Sequence, residues 1–250
     1  MRAIRNICYG QAQEINHRLD LYLPETEEFS VFIYFHGGGL GGGERTDADH
    51  FADYLTDRNI AVVSANYRVY PTAVYPQFIE DAAAVVAWVC RHMAEYGTCR
   101  KMVVGGSSAG AYLSMMLCFD DQYLLQAGVK PDEIDAYIHD AGQPTSHFNV
   151  VHERGMDLKR VVVDTAAPLY YVGTKSAYSQ MFFIVSDNDI PCRYEQTMLM
   201  AASLKHFGYQ NYAVKVMHGS HCQYVFEKDE NGDSVFGKII CEFFGQMKQD

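Results

Sequence analysis

Ser108 stands at the centre of Gly106-Ser107-Ser108-Ala109-Gly110, directly after the apolar run "KMVVGG" and directly before "AYLSMMLCF". G-x-S-x-G between a strand and a buried helix describes a sharp turn that lifts the serine hydroxyl clear of the backbone, where it can attack a carbonyl carbon. Ser107 does not fit that register, because its pentapeptide would end on Ala109 instead of glycine. A glycine-rich turn at a strand end is the competing reading, and the pentapeptide alone does not separate the two. Serine is a weak nucleophile at neutral pH, so a base must take its proton and a carboxylate must hold that base in one tautomer. With a strand-turn-helix serine these partners follow in the order acid, then histidine.

The downstream sequence offers both. In "FFIVSDNDIP" the acid is assigned to Asp187, which sits at the C-terminal edge of an apolar strand, with Asp189 in reserve. Both would also suit a turn or a helix start before Pro191. In "VMHGSHCQYVF" the base is assigned to His221, several residues past a strand in a Gly-Ser loop, whereas His218 lies at the strand's very end. As a metal pair, H-x-x-H has no third ligand nearby and no helix to present both rings. Upstream, "FIYFHGGGLGGG" places His36 and three glycines after a strand, a loop whose N–H groups can meet a developing oxyanion without a Cβ in the way. A phosphate-cradling loop would need the lysine of G-x-x-x-x-G-K-[ST], which is missing here.

These groups need elements to position them. Short β-branched and aromatic runs alternate with helical patterns, the signature of a mostly parallel sheet with helices on both faces. Strands are expected over 17–23, 30–35, 60–66, 101–106, 134–140, 180–186 and 211–217, and helices over 47–58, 77–96, 109–119, 192–207 and 234–247. The second helix is expected to stop at Gly97. Residues 142–178 break the alternation and are read as a small cap insertion over the site within a single domain spanning 1–250. A net charge of −11 argues against nucleic acid or an anionic membrane as partner and leaves a small neutral or hydrophobic ligand compatible. No stretch approaches the length of a membrane span and no secretory h-region is visible. Seven scattered cysteines without a C-x-x-C pair suit reduced thiols in a cytoplasm. The oligomeric state is open to a homo-oligomer, and no cofactor or metal is implied.

Taken together, "HGGGLGGG", "ANYRVYPTAVYPQFIEDAAAVVAW", "GGSSAGAY", "SDNDIP" and "GSHCQY" resemble the α/β-hydrolase superfamily, within it the hormone-sensitive-lipase-like carboxylesterases and bacterial feruloyl and acetyl esterase relatives. The resemblance runs from about residue 17 to the end. It implies an α/β-hydrolase fold and a carboxylesterase acting on small esters, with Gly38, Gly39 and Ala109 as the oxyanion donors. Tyr67, Arg68, Pro76, Asp81 and Trp88 match a stretch that is mainly structural in the family. Two departures stand out: relatives often carry aspartate where Ser107 stands, and lipase-like members have a longer segment ahead of the glycine loop. The smaller lid implies an open pocket suited to acylated sugars or aryl esters. An arylformamidase, a peptidase of the same fold, or a catalytically silent binding member are the other readings of the same residues.

Overall fold

The computed structural model describes residues 1–11 and 14–247, so residues 12–13 and 248–250 of the expected 1–250 span lie outside the described residues. Eight strands form one sheet: β1 (Arg2–Cys8), β2 (Arg18–Leu23), β3 (Glu28–Phe35), β4 (Ile60–Ala65), β5 (Thr98–Ser107), β6 (Ala136–Asp140), β7 (Gln180–Ser186) and β8 (Tyr212–Met217). Their order across the sheet is β1-β2-β4-β3-β5-β6-β7-β8. From β4 to β8 every neighbouring pair is parallel, and only β2 runs the other way, antiparallel to both β1 and β4. The seven helices are α1 (Ala52–Thr56), α2 (Gln77–His92), α3 (Ala109–Phe119), α4 (Gln122–Gln126), α5 (Phe148–Glu153), α6 (Arg193–His206) and α7 (Val235–Gln246) among the described residues.

Alternation along β3 builds two cores, one on each face. Val31, Ile33 and Phe35 pack with residues of α2 and α3 such as Val85, Val86 and Tyr112. Phe32 and Tyr34 point the other way, into a cluster with Phe51, with Leu55 of α1 and with Phe236 and Ile240 of α7. This two-sided burial is why the central strands read as continuous apolar runs. Every residue of α3 is buried, as expected of a helix that is apolar on all sides.

Two expected elements differ, and one strand was not expected. The helix over 47–58 is split into a 3-10 turn, Arg45–His50, and the short α1, because Phe51 leaves helical geometry (φ −138°) with its ring buried in the second core. The helix expected to run to 96 ends at His92 and continues as one 3-10 turn to Glu95, before Gly97. β1 is an additional edge strand whose side chains are mostly exposed, so it lacks the apolar alternation that marks a strand in sequence. Residues 142–178 hold only α5 and a 3-10 turn at Pro168–Tyr171 and are otherwise irregular. No helix among the described residues is long and apolar enough to cross a membrane.

Candidate active site

The parallel strands all end on the same edge of the sheet, and the loops beyond β3, β5, β7 and β8 bring the expected residues together there. Ser108 is the single residue between β5 and α3, with φ 55° and ψ −111°, a conformation that non-glycine residues adopt only when their surroundings enforce it. The enforcement is visible: Ser108 N–H donates to the Asp140 carbonyl at 2.7 Å, and its own carbonyl accepts from Tyr112 N–H at 3.1 Å. Gly110 lies so close to β3 that a Cβ there would collide with the Phe35 carbonyl oxygen. The second glycine of the pentapeptide is therefore a packing requirement.

Ser108 Oγ donates to His221 Nε2 at 2.7 Å. The opposite ring nitrogen, Nδ1, donates to Asp189 Oδ1 at 2.5 Å. The expected carboxylate was Asp187, with Asp189 in reserve; the structure places the reserve residue against His221 and pairs Asp187 with His218 Nδ1 at 2.5 Å. The reason lies in the backbone. Asp187 still extends the β7/β8 ladder through its N–H to the Met217 carbonyl, so its side chain leans outward over β8, where its partner His218 is 99% exposed. Two residues later the chain has turned inward, and the Asp189 side chain is only 1% exposed, with Ile190 N–H donating to its Oδ1 at 2.8 Å. His218 and the Gly219 N–H hold the Asp187 carboxyl below its ordinary range, as befits a surface ion pair.

A second serine-histidine contact exists deeper in the sheet. Ser114 Oγ donates to the Ala111 carbonyl at 3.0 Å and meets His139 Nδ1 at 2.8 Å, where it can accept the ring proton. Both side chains are buried and burial pushes His139 down to about 3, so this imidazole is enclosed, stays neutral and has no route to a substrate. The neighbouring Asp140 carboxylate turns away from it, to Tyr224.

The glycine loop begins against the serine turn: a Cβ on Gly37 would lie 3.5 Å from Ser108 Cβ. His36 braces the loop, donating from Nδ1 to the Gly37 carbonyl at 2.7 Å and stacking on Tyr67 at 4.5 Å between centroids. Burial lowers its pKa to about 4, so it is neutral. The Gly38 and Gly39 N–H groups, and that of Ala109 at the first position of α3, donate to no group among the described residues. Gly38 has φ 107°, and a Cβ there would strike the Gly42 backbone, so a side chain is excluded from the loop. The irregular segment latches onto it: Asn149 Nδ2 donates to the Gly39 carbonyl at 3.1 Å, and the Phe148 ring covers the open side of Gly39. Sequence reasoning missed Phe148, Asn149 and Arg193, whose contacts depend on how residues 142–178 fold. The only signal for the first two was the irregularity of that stretch.

Asp140 lies directly behind this arrangement and is fully buried, with Tyr224 donating to its Oδ1. Burial raises its pKa to about 6, partly countered by the Ser107 and Tyr224 hydroxyls. A carboxyl whose folded pKa lies above its unfolded one adds stability that is fully present below about 4 and is lost as pH rises through about 6. Asn cannot ionise. The melting temperature of Asp140→Asn relative to the parent chain should therefore climb between pH 4 and pH 7 in a thermal unfolding series; a difference that stays flat across that window would show that Asp140 does not titrate there.

Comparison with known proteins extends this picture. A family model described as BD-FAE matches residues 19–153, which include the glycine loop and Ser108 but stop before Asp189 and His221. The chain is 33% identical over 113 residues to a probable isoprenylcysteine alpha-carbonyl methylesterase of Arabidopsis thaliana, covering 44% of this chain and 23% of that protein. It is 34% identical over 96 residues to esterase LipI of Mycobacterium tuberculosis, covering 38% of this chain and 30% of that one. The chain thus spans between about a quarter and a third of the length of these curated relatives. Among solved structures, a truncated carbohydrate esterase from gut microbiota superposes with a TM-score of 0.79 at 18% identity, covering 99% of this chain and 96% of that one. Esterase B from Lactobacillus rhamnosis gives 0.78 at 16% identity, covering 98% and 85%. At such identities the likeness concerns the fold.

Proposed function

The chain belongs to the BD-FAE family and has the α/β-hydrolase fold, and from that premise we propose that it hydrolyses small carboxylic esters through an acyl-enzyme on Ser108. The observation that carries this reading is the continuous relay from Ser108 Oγ through His221 to the buried Asp189. His221 Nε2 takes the hydroxyl proton as Oγ attacks the ester carbonyl carbon, and Asp189 holds the resulting imidazolium in place. The charge that forms on the carbonyl oxygen falls to the undonated N–H groups of Gly38, Gly39 and Ala109, a kind of stabilisation in which a single donor is worth on the order of 100-fold or more in rate. As the tetrahedral species collapses, the carbon-to-alkoxy bond breaks and His221 returns the proton to the leaving alcohol oxygen. Water then attacks the acyl-enzyme with His221 again as base, releasing the acid and restoring Ser108. Residues 142–178 act as a cap, latched to the oxyanion loop by Phe148 and Asn149.

Two relatives whose names describe esterases lend support. The test is a substrate panel: p-nitrophenyl acetate and butyrate are hydrolysed, while N-formyl aryl amines and aminoacyl p-nitroanilides are not. Faster turnover of the formyl or aminoacyl substrates would instead assign an arylformamidase or a peptidase. Turnover of none, together with failure of a fluorophosphonate to label the chain, would leave only a binding protein of this fold.

A further inference from the structure

A cavity of about 450 Å³ shares two walls with the proposed machinery. One is Phe148, whose ring abuts Gly39 of the oxyanion loop. The other is Ile190 to Arg193, the segment that directly follows Asp189. Its body is apolar, with Leu158, Val161 and Pro191 joining Phe148 and Ile190. Leu158 and Val161 remain 48% and 58% exposed, so this apolar edge is left for something other than the chain to cover.

The charge in the cavity is one-sided. Lys159, Arg160 and Arg193 line it with no aspartate or glutamate among its walls, in a chain whose net charge is −11. None of the three forms an ion pair among the described residues. Arg193 is the telling member, because its side chain is buried and 3% exposed. Its Nη1 donates to the Ala141 carbonyl at 2.6 Å and its Nη2 to Gln143 Oε1 at 3.4 Å, both neutral acceptors. Burial pulls its pKa down to about 10, with the more distant Asp189 carboxylate opposing the drop, and that carboxylate is already committed to His221. A buried cation with neutral partners is costly unless an anion completes it.

We propose that this cavity seats an apolar group ending in a carboxylate, so that the ester taken by this site carries a free carboxylate on its acyl or its alcohol part. The inference rests on the ester-hydrolase reading for its catalytic meaning, but the binding it describes can be measured without turnover. The apolar body of the ligand lies on Phe148, Pro191 and Ile190, and its carboxylate lies toward the basic side chains, where charge-assisted hydrogen bonds are the strong ones. Lys159 and Arg160, exposed at the edge, draw anions in, an effect that salt weakens.

The test uses the full chain carrying Ser108→Ala, titrated calorimetrically with 4-phenylbutyrate and with its neutral isostere 4-phenylbutanamide. The carboxylate should bind about tenfold more tightly at low salt, and adding Lys159→Gln and Arg160→Gln should shrink that ratio severalfold, in line with the modest worth of exposed charges. Equal binding of the two ligands at low salt would overturn the proposal, whereas a carboxylate preference that persists after both substitutions is carried by the buried Arg193 and upholds it. In parallel, the unsubstituted chain should hydrolyse 4-acetoxybenzoate faster than 4-acetoxybenzamide or monomethyl adipate faster than methyl hexanoate, whichever pair matches the side that enters the cavity. Hydrolysis without any charge preference contradicts the cavity assignment alone. Discrimination in binding with no hydrolysis of any ester upholds the cavity and contradicts the ester-hydrolase reading alone.

Discussion

Ser108→Ala lowers kcat on p-nitrophenyl acetate by about 10⁶-fold, the scale seen when the nucleophile of a serine triad is removed, while the thermal unfolding midpoint stays within a few degrees. The two effects separate because the Ser108 hydroxyl contributes one hydrogen bond, to His221, worth about 1 kcal/mol net. The backbone strain at φ 55° is the same for alanine, which has the same Cβ. Ser107→Ala and Ser114→Ala are the controls. The Ser107 hydroxyl is buried behind the turn, on the side of Asp140 and away from His221, and Ser114 serves the enclosed His139. Each should cost activity only a few-fold, and a larger loss at either position than at Ser108 would put the nucleophile elsewhere.

Asp189→Asn should reduce kcat by about 10⁴-fold, because an amide turned toward His221 Nδ1 stabilises the tautomer with its proton on Nε2, which cannot accept from serine. Asp187→Asn should change kcat by less than about twofold, since an exposed carboxylate paired with a fully exposed histidine contributes little even to stability. Steady-state kinetics of the two variants side by side decides between the carboxylates. The larger loss at Asp187 would restore the assignment expected from strand position and contradict the observed contact.

That pair also marks the boundary of what the sequence tells. The strands beneath the site, β3, β4 and β6, were legible because burial on both faces leaves long apolar runs. The Ser108–His221 contact was legible because each residue follows such a run within a glycine-bearing loop. The choice of acid was not. Whether residue 187 or 189 turns inward depends on where the β7/β8 ladder ends, and that is set by the partner strand's backbone, which leaves no mark on the local sequence. β1 escaped notice for a related reason: an edge strand with solvent on most of its side chains needs no alternation. The contacts of Phe148 and Asn149 with the glycine loop and the buried charge of Arg193 belong to tertiary packing alone. In "DNDIPCRYEQ" nothing distinguishes an arginine that lies beneath a cavity from one that faces water.

The most direct test of the central claim is to trap the acyl-enzyme's analogue. The chain is incubated with a p-nitrophenyl alkylphosphonate, digested, and the modified residue located by tandem mass spectrometry. One adduct per chain on Ser108, lost in Ser108→Ala, is the predicted result. An adduct on Ser107, Ser114 or another side chain, or no adduct while ester hydrolysis proceeds, would contradict Ser108 as the nucleophile.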